Sequence, residues 1–340
     1  MPGPLDALGW AEPWIGRLAA LGHDGAVPGR VTRGDRGAVL VVTADGARPT
    51  TVLAAVRPRP VVGDWVAVAG GVVVATLPRS SLLRRQDPSG GEQALVANVD
   101  VVLVVCGLDR PVKPGRIQRT AALALDAGAT PMVVLTKADL VADPAAARAR
   151  VERANPGMAV LVVSATSGDG LEELRALTGG GTVALLGESG AGKSTLANAL
   201  VGATVAATGA IRAGDARGRH TTTARQLHTL PGGGVLVDTP GIRSVGLRVA
   251  SGAVAATFDD ITALAAGCRF ADCAHHREPG CEVLAAVERG TLAASRLAAW
   301  AALEQEAADA GRADDQARRA LARRLGRRAR EAVGRRGEDQ

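Results

Sequence analysis

The sequence predicts an α/β protein in which a mainly parallel sheet covered by helices follows a small OB-like β-barrel and precedes a helical domain stapled by a metal. Three observations carry this expectation. A phosphate-cradling loop at 187–195 sits between an apolar run and a helical pattern. Short valine-rich runs separated by turn signals fill 28–77, and three cysteines crowd together with a histidine at 268–281. A chain of 340 residues exceeds one ordinary core, so several domains are expected. The changes of texture place an N-terminal extension at 1–26, a barrel at 27–77, a linker at 78–94, the α/β domain at 95–250, a zinc-binding helical domain at 251–310 and an arginine-rich tail at 311–340.

Residues 1–25 carry Trp10, Trp14 and one short amphipathic pattern. In the barrel, runs at 39–43, 50–56, 65–68 and 72–77 alternate with Gly34-Asp35, Asp45-Gly46, Gly63-Asp64 and Gly70-Gly71, a spacing that suits five strands. Arg30, Arg33 and Arg36 fall in the first connection, where they either contact nucleic acid or solubilise a turn. Beyond the linker, apolar runs at 99–106, 131–135, 159–163, 183–186 and 235–237 alternate with helical patterns, which implies a parallel sheet with both faces covered. Cys106 stands alone in the first of these runs and reads as core.

The chemistry follows along this sheet. Thr136, Lys137 and Asp139 approximate the N-K-x-D guanine signature. A carboxylate there accepts two hydrogen bonds from the guanine edge, a pair adenine does not offer, so Asp139 argues for GTP and against an ATPase. Lys137 lays its stem along the base, and Ser164-Ala165 supplies a backbone N–H to the guanine oxygen. The loop itself is Gly187, Glu188, Ser189, Gly190, Ala191, Gly192, Lys193, Ser194 and Thr195. Its N–H groups and a helix N-terminus face the phosphates, Lys193 neutralises charge, and the Ser194 hydroxyl takes a magnesium ion. Next come His220, Thr221 and Thr222 in the place of a switch loop, with Thr222, or Thr221 beside it, completing the magnesium shell. Asp238 holds the same ion through water, and the Gly241 N–H meets the terminal phosphate. Ile242 stands where many GTPases carry a glutamine that orients water, so intrinsic hydrolysis is expected to be slow. His220 is the candidate within the chain to position that water, although a solvated loop histidine fits the position too.

Cys268, Cys273, His275 and Cys281 offer three thiolates and an imidazole for a closed tetrahedral zinc site that supports folding. The cysteines are not spaced as a disulfide framework, and no segment is long enough to span a bilayer, so a cytoplasmic protein is expected. The formal charge of +6 is concentrated at one end. Residues 312–336 set ten arginines against Asp314, Asp315 and Glu331, a net +7 on a near-neutral body, which suggests a polyanionic partner. With no tyrosine, two phenylalanines and four tryptophans, aromatic stacking cannot dominate RNA binding. A helix is expected over 284–325, and the arginines after it suit either an RNA-anchoring helix or a solvated tail.

The guanine signature precedes the phosphate loop here, whereas the common GTPase has the reverse order, so the domain is a circularly permuted P-loop GTPase whose chain exits just after the second switch. With that order, Gly63-Asp64-Trp65-Val66, Leu77-Pro78-Arg79-Ser80, the 218–223 string Gly-Arg-His-Thr-Thr-Thr, Asp238-Thr239-Pro240-Gly241-Ile242 and the Cys3His set, the chain resembles the bacterial ribosome small-subunit-dependent GTPase family over roughly 27–300. The resemblance implies action late in assembly of the small ribosomal subunit, near its decoding region and its rRNA. It implies GTP hydrolysis to GDP stimulated by the particle, catalytic roles for Lys193 and His220, one structural zinc with His275 preferred to His276, magnesium with GTP, and a monomer. Thr136 departs from the family's usual asparagine. A GTP-gated RNA-binding module with incidental hydrolysis is the competing expectation, and response of turnover to the particle separates the two.

Overall fold

The computed structural model describes residues 3–34, 38–86, 92–205, 225–238 and 249–337. They form two compact units, residues 1–247 and 248–340.

The first unit opens with a 3-10 turn at Asp6–Leu8 and helix α1 (Trp14–Ala19). The barrel follows as β1 (Val27–Gly34), β2 (Ala38–Thr43), β3 (Gly46–Val52), β4 (Trp65–Ala69) and β5 (Val72–Thr76). The strands run in the order β1-β2-β3-β5-β4 and close by pairing β4 back to β1. Gly70 and Gly71, with φ of 57° and 78°, make the two-residue turn from β4 to β5, which only residues free to adopt positive φ allow. Alternate valines (Val31, Val39, Val41, Val66, Val68, Val73) fill the interior. Strand β1 corrects the expectation of an exposed first connection at Arg30. Arg30 lies inside the strand and is 3 % exposed. It donates from Nη2 to Thr182 Oγ1 (2.7 Å) and from Nη1 to Leu8 O, with its guanidinium 4.9 Å from the Trp65 ring. Pro28 and Gly29 hide this strand from a pattern search, but β1 is paired on both flanks, and any Cβ on Gly29 would collide with Val41. Arg33 also belongs to β1, and Arg36 lies outside the described residues. Trp10 and Trp14 pack against Trp65 at centroid distances of 4.8 and 6.1 Å, so the N-terminal extension packs against the start of β4.

Asp64 is wholly buried. Arg79 meets it with two 2.8 Å hydrogen bonds, and the Val61 N–H adds a third contact at 2.7 Å. Burial pushes this carboxyl up and Arg79 pulls it back. Arg79→Ala strands the carboxyl and is expected to destabilise the first unit by about 3 kcal/mol at neutral pH. In that variant burial is opposed only by the Val61 N–H and the more distant Arg30, so the folded-state pKa rises further. Stability is therefore retained where Asp64 is protonated in both states and lost as pH rises above about 4. Urea unfolding at acidic and neutral pH checks this, since an equal penalty at both would mean that the pair contributes through packing alone.

The stretch expected as a plain linker carries an antiparallel ribbon, β6 (Leu82–Gln86) with β7 (Glu92–Ala97). Its charged strand (Leu-Leu-Arg-Arg-Gln) lacks the apolar alternation that announces a sheet. The α/β elements follow: β8 (Val101–Gly107), α2 (Pro114–Asp126), β9 (Thr130–Thr136), α3 (Pro144–Ala154), β10 (Val160–Val162), α4 (Leu171–Leu177), β11 (Thr182–Gly187), α5 (Lys193–Val201), β12 (Gln226–Thr229) and β13 (Val235–Asp238). They form one sheet in the order β10-β9-β8-β11-β13-β12, parallel except for β12. Successive residues serve opposite faces, as a strand's period of two requires. Leu103, Val105 and Val134 pack with Leu196 and Leu200 of α5, while Val104, Val133 and Leu135 pack with Ile117 of α2 and Val151 of α3. Strand β12 is polar and short, and it joins this sheet to the barrel through Arg33 opposite Gln226.

The second unit holds α6 (Ser251–Thr257), α7 (Asp259–Ala265), α8 (Glu282–Glu288) and α9 (Ala294–Gly337). The helix expected over 284–325 is interrupted at 289–293, where Gly290 adopts a φ of 73° past the end of α8. Arg296 is 4 % exposed and ties α9 to α7 by two 2.7 Å hydrogen bonds to Asp260, above the buried Phe258 ring. Among the described residues, no helix is long and apolar enough to cross a membrane.

Candidate functional site

Parallel strands carry their ligands at their C-terminal ends, where the connections diverge to opposite faces. Here that point lies between β8 and β11, because α2 leads to β9 on one side and α5 lies beside β13 on the other. Strand β11 ends at Gly187 and the phosphate loop begins. Gly187 has a φ of 155°, and a Cβ there would collide with the Val105 carbonyl, so the loop can leave the sheet only from glycine. Gly192 precedes α5, whose first residue is Lys193 and second Ser194. Lys193 Nζ donates to Gly187 O (2.8 Å) and Glu188 O (2.6 Å), so its ammonium lies across the loop it would share with a phosphate. Glu188 forms an ion pair with Arg116 of α2.

The guanine segment meets this loop directly. Thr136, buried at the end of β9, donates its hydroxyl to Ala191 O at 2.6 Å, and Lys137 Nζ donates to Gly190 O at 2.7 Å. Threonine in the asparagine place therefore still ties the base-binding segment to the phosphate loop. Asp139 is exposed and follows in a 3-10 turn, where Ser164 Oγ donates to its Oδ1 at 2.6 Å. The Ser164 N–H is taken by Asp169 O (2.9 Å), so of the Ser164-Ala165 pair it is not the Ser164 N–H that is open to the guanine oxygen. Thr136, Lys137, Asp139, Ser164 and residues 187–195, 59 residues apart at their extremes, thus converge on adjoining strand ends. His220, Thr221, Thr222 and Gly241 lie outside the described residues, and Asp238 is the last residue of β13.

Two residues of this region were absent from the sequence expectations. Asp109 and Arg110 lie just beyond β8, where Asp109 accepts from Lys137 Nζ and Arg110 Nη2, each at 2.9 Å. These bonds hold the Asp109 carboxyl down to about 2. The available signal was a charged pair directly after an apolar strand next to the phosphate-loop strand. Cys106, near the end of β8, is half-buried, and burial pushes its thiol up to about 11, in keeping with a core role.

In the second unit Cys268, Cys273, His275 and Cys281 bring their ligand atoms within 4.8 Å of one another. Tetrahedral zinc with ordinary bond lengths separates two sulfurs by about 3.8 Å and sulfur from nitrogen by about 3.5 Å. The Cys268–Cys281 sulfurs are 3.9 Å apart, and His275 Nδ1 lies 3.6 and 3.4 Å from them, so the donors fit that ion. His275 takes a φ of 59° to turn its ring inward against Trp300, and it, rather than His276, joins the cluster.

Comparison with known proteins agrees with this geometry. The family described as RsgA GTPase matches residues 76–248. The chain is 49% identical over 89% of its length to "Small ribosomal subunit biogenesis GTPase RsgA" of Streptomyces coelicolor, covering 86% of that protein. It is 42% identical to the protein of the same name from Opitutus terrae, covering 92% of each. Among solved structures, YjeQ from Thermotoga maritima superposes with a TM-score of 0.63 at 27% identity, over 83% of this chain and 98% of that one. YloQ, described as a circularly permuted GTPase, shares the fold with a TM-score of 0.62 at 22% identity, over 85% of this chain and 97% of its own. A barrel, a permuted phosphate-loop domain and a Cys3His helical unit in one polypeptide, together with these matches, mean that the chain belongs to the RsgA GTPase family.

Proposed function

We propose that this protein matures the small ribosomal subunit, hydrolysing GTP to GDP and phosphate when the particle stimulates it. The observation that supports this most strongly is the joining of guanine segment to phosphate loop, with Thr136 and Lys137 bonded to Ala191 and Gly190. Asp139 reads the guanine edge, the Lys137 stem walls the base, and the 187–195 loop with Lys193 binds the phosphates. Ser194, Thr222 and Asp238 hold magnesium, which supplies charge neutralisation at the phosphates. Ile242 leaves the attacking water without a glutamine to orient it, so His220 positions that water once the particle orders the site. The Cys3His set holds one structural zinc. Exposed arginines of α9, including Arg319 and Arg323, meet rRNA phosphates. The protein works in the cytoplasm as a monomer.

The test is GTP hydrolysis by the full chain alone, with small subunits and with large subunits at one salt concentration. Turnover is expected to rise at least about tenfold with small subunits alone. No response to either particle would favour a GTP-gated RNA-binding module, and a response to the large subunit would place the same chemistry on the other particle.

A further inference from the structure

We propose that Asp109 is a positioning residue for guanine nucleotide, holding the Lys137 ammonium over the phosphate loop so that the lysine stem is preset as a wall for the base. The inference rests on the reading of 136–139 as the base-binding segment. Lys137 is costly to place. Its backbone sits at a φ of 61°, a left-handed conformation that side chains other than glycine rarely adopt, and ordering its four-carbon stem sacrifices rotamer freedom. Its ammonium has two anchors, the neutral Gly190 carbonyl at 2.7 Å and the Asp109 carboxylate at 2.9 Å. Only the second is charged, and a charge-assisted bond is the stronger kind.

Asp109 is itself built into place. Arg110 grips it from Nε to Oδ1 (3.3 Å) and from Nη2 to Oδ2 (2.9 Å), and Arg110 Nη1 reaches Ser189 O of the phosphate loop at 3.5 Å. Gly107 makes room for the carboxylate, since a Cβ there would stand 2.5 Å from Asp109 Oδ1. The side chains of Asp109 and Lys137 are 25% and 28% exposed, so the pair is partly shielded from water. The end of β8 thereby joins the end of β9 and the phosphate loop in one cross-braced unit, through Asp109 and Arg110, which belong to none of the nucleotide signatures. Holding the stem before the base arrives lowers the ordering cost of binding, so losing Asp109 should raise the nucleotide's dissociation rate and leave the chemical step alone.

The test uses the full-length protein and a fluorescent GDP analogue, with GTP turnover measured in parallel. Asp109→Ala is expected to weaken GDP binding about fivefold, with the loss in turnover falling on KM rather than kcat. Asp109→Asn, which keeps an acceptor without the charge, should fall between. In a Lys137→Met background, which keeps the stem and removes the ammonium, Asp109→Ala should cost less than about twofold, because the interaction it supports is already gone. An unchanged affinity in Asp109→Ala, or a full penalty that persists in the Lys137→Met background, would overturn the proposal. Parent protein that fails to bind GDP would instead overturn the underlying reading of the site, an outcome visible before any variant is made.

Discussion

Lys193→Ala is expected to lower particle-stimulated GTP hydrolysis by at least about a hundredfold. Lys193 is the first residue of α5, and its ammonium already spans the loop between Gly187 O and Glu188 O, with no second cation of the loop to replace it. On binding nucleotide, those carbonyl bonds are expected to be traded for phosphate oxygens, whose charge grows at the leaving group as the terminal phosphoryl departs. Alanine leaves the loop's N–H groups and helix terminus in place but removes the full positive charge, so the transition state loses more than the ground state. Ser194→Ala should reach a similar loss by a separate route, through magnesium. Phosphate release with small subunits present measures both, and normal turnover in either variant would remove this loop from catalysis.

The second large effect concerns the Cys3His set. Cys273→Ala is expected to reduce bound zinc to below about a tenth of the parent's content and to unfold the second unit at temperatures where the parent remains folded. The physical reason is scale. Residues 248–340 surround a modest apolar centre in which Val254, Phe258, Ile261, Val283, Ala286 and Leu292 are buried, and the segment between α7 and α8 has no regular structure of its own. Four donors within 4.8 Å of one another close that segment, and Cys281 also caps α8 by accepting from the Leu284 N–H. Elemental analysis of purified protein, paired with thermal unfolding, reads both consequences. Full zinc content in the variant would show that Cys273 is not a ligand. Loss of zinc with unchanged unfolding would show that the metal does not support this unit.

How much was legible in the sequence depended on the kind of signal each element carries. Strands β8, β9, β10, β11 and β13 are buried on both faces, so they appear as continuous apolar runs and were readable within one or two residues at most ends. The ribbon β6–β7, strand β12 and strand β1 were not, because charged, polar or Pro-Gly-containing strands satisfy their backbone through pairing rather than through an apolar face. Arg30 shows the consequence most plainly. As one of three arginines in a presumed connection it suggested solvent or nucleic acid, yet its partners are Leu8, Trp65 and Thr182, the last of them 152 residues away. No local pattern encodes such a contact.

The candidate site divides along the same line. Short motifs with strict spacing made the phosphate loop, the 136–139 segment and the Cys3His donors visible in the chain alone, because backbone geometry and ligand chemistry demand particular residues at those intervals, whereas the expected switch residues 220–222 and 241 lie outside the described residues. The permuted order was legible too, since order is a property of the sequence. What only the tertiary structure decided is which side chains brace that site: Thr136 on Ala191, Ser164 on Asp139, and Asp109 and Gly190 on Lys137. Those contacts join segments brought together by strand order or by a turned backbone, and a hydrogen bond depends on distance in space, which spacing along the chain does not specify.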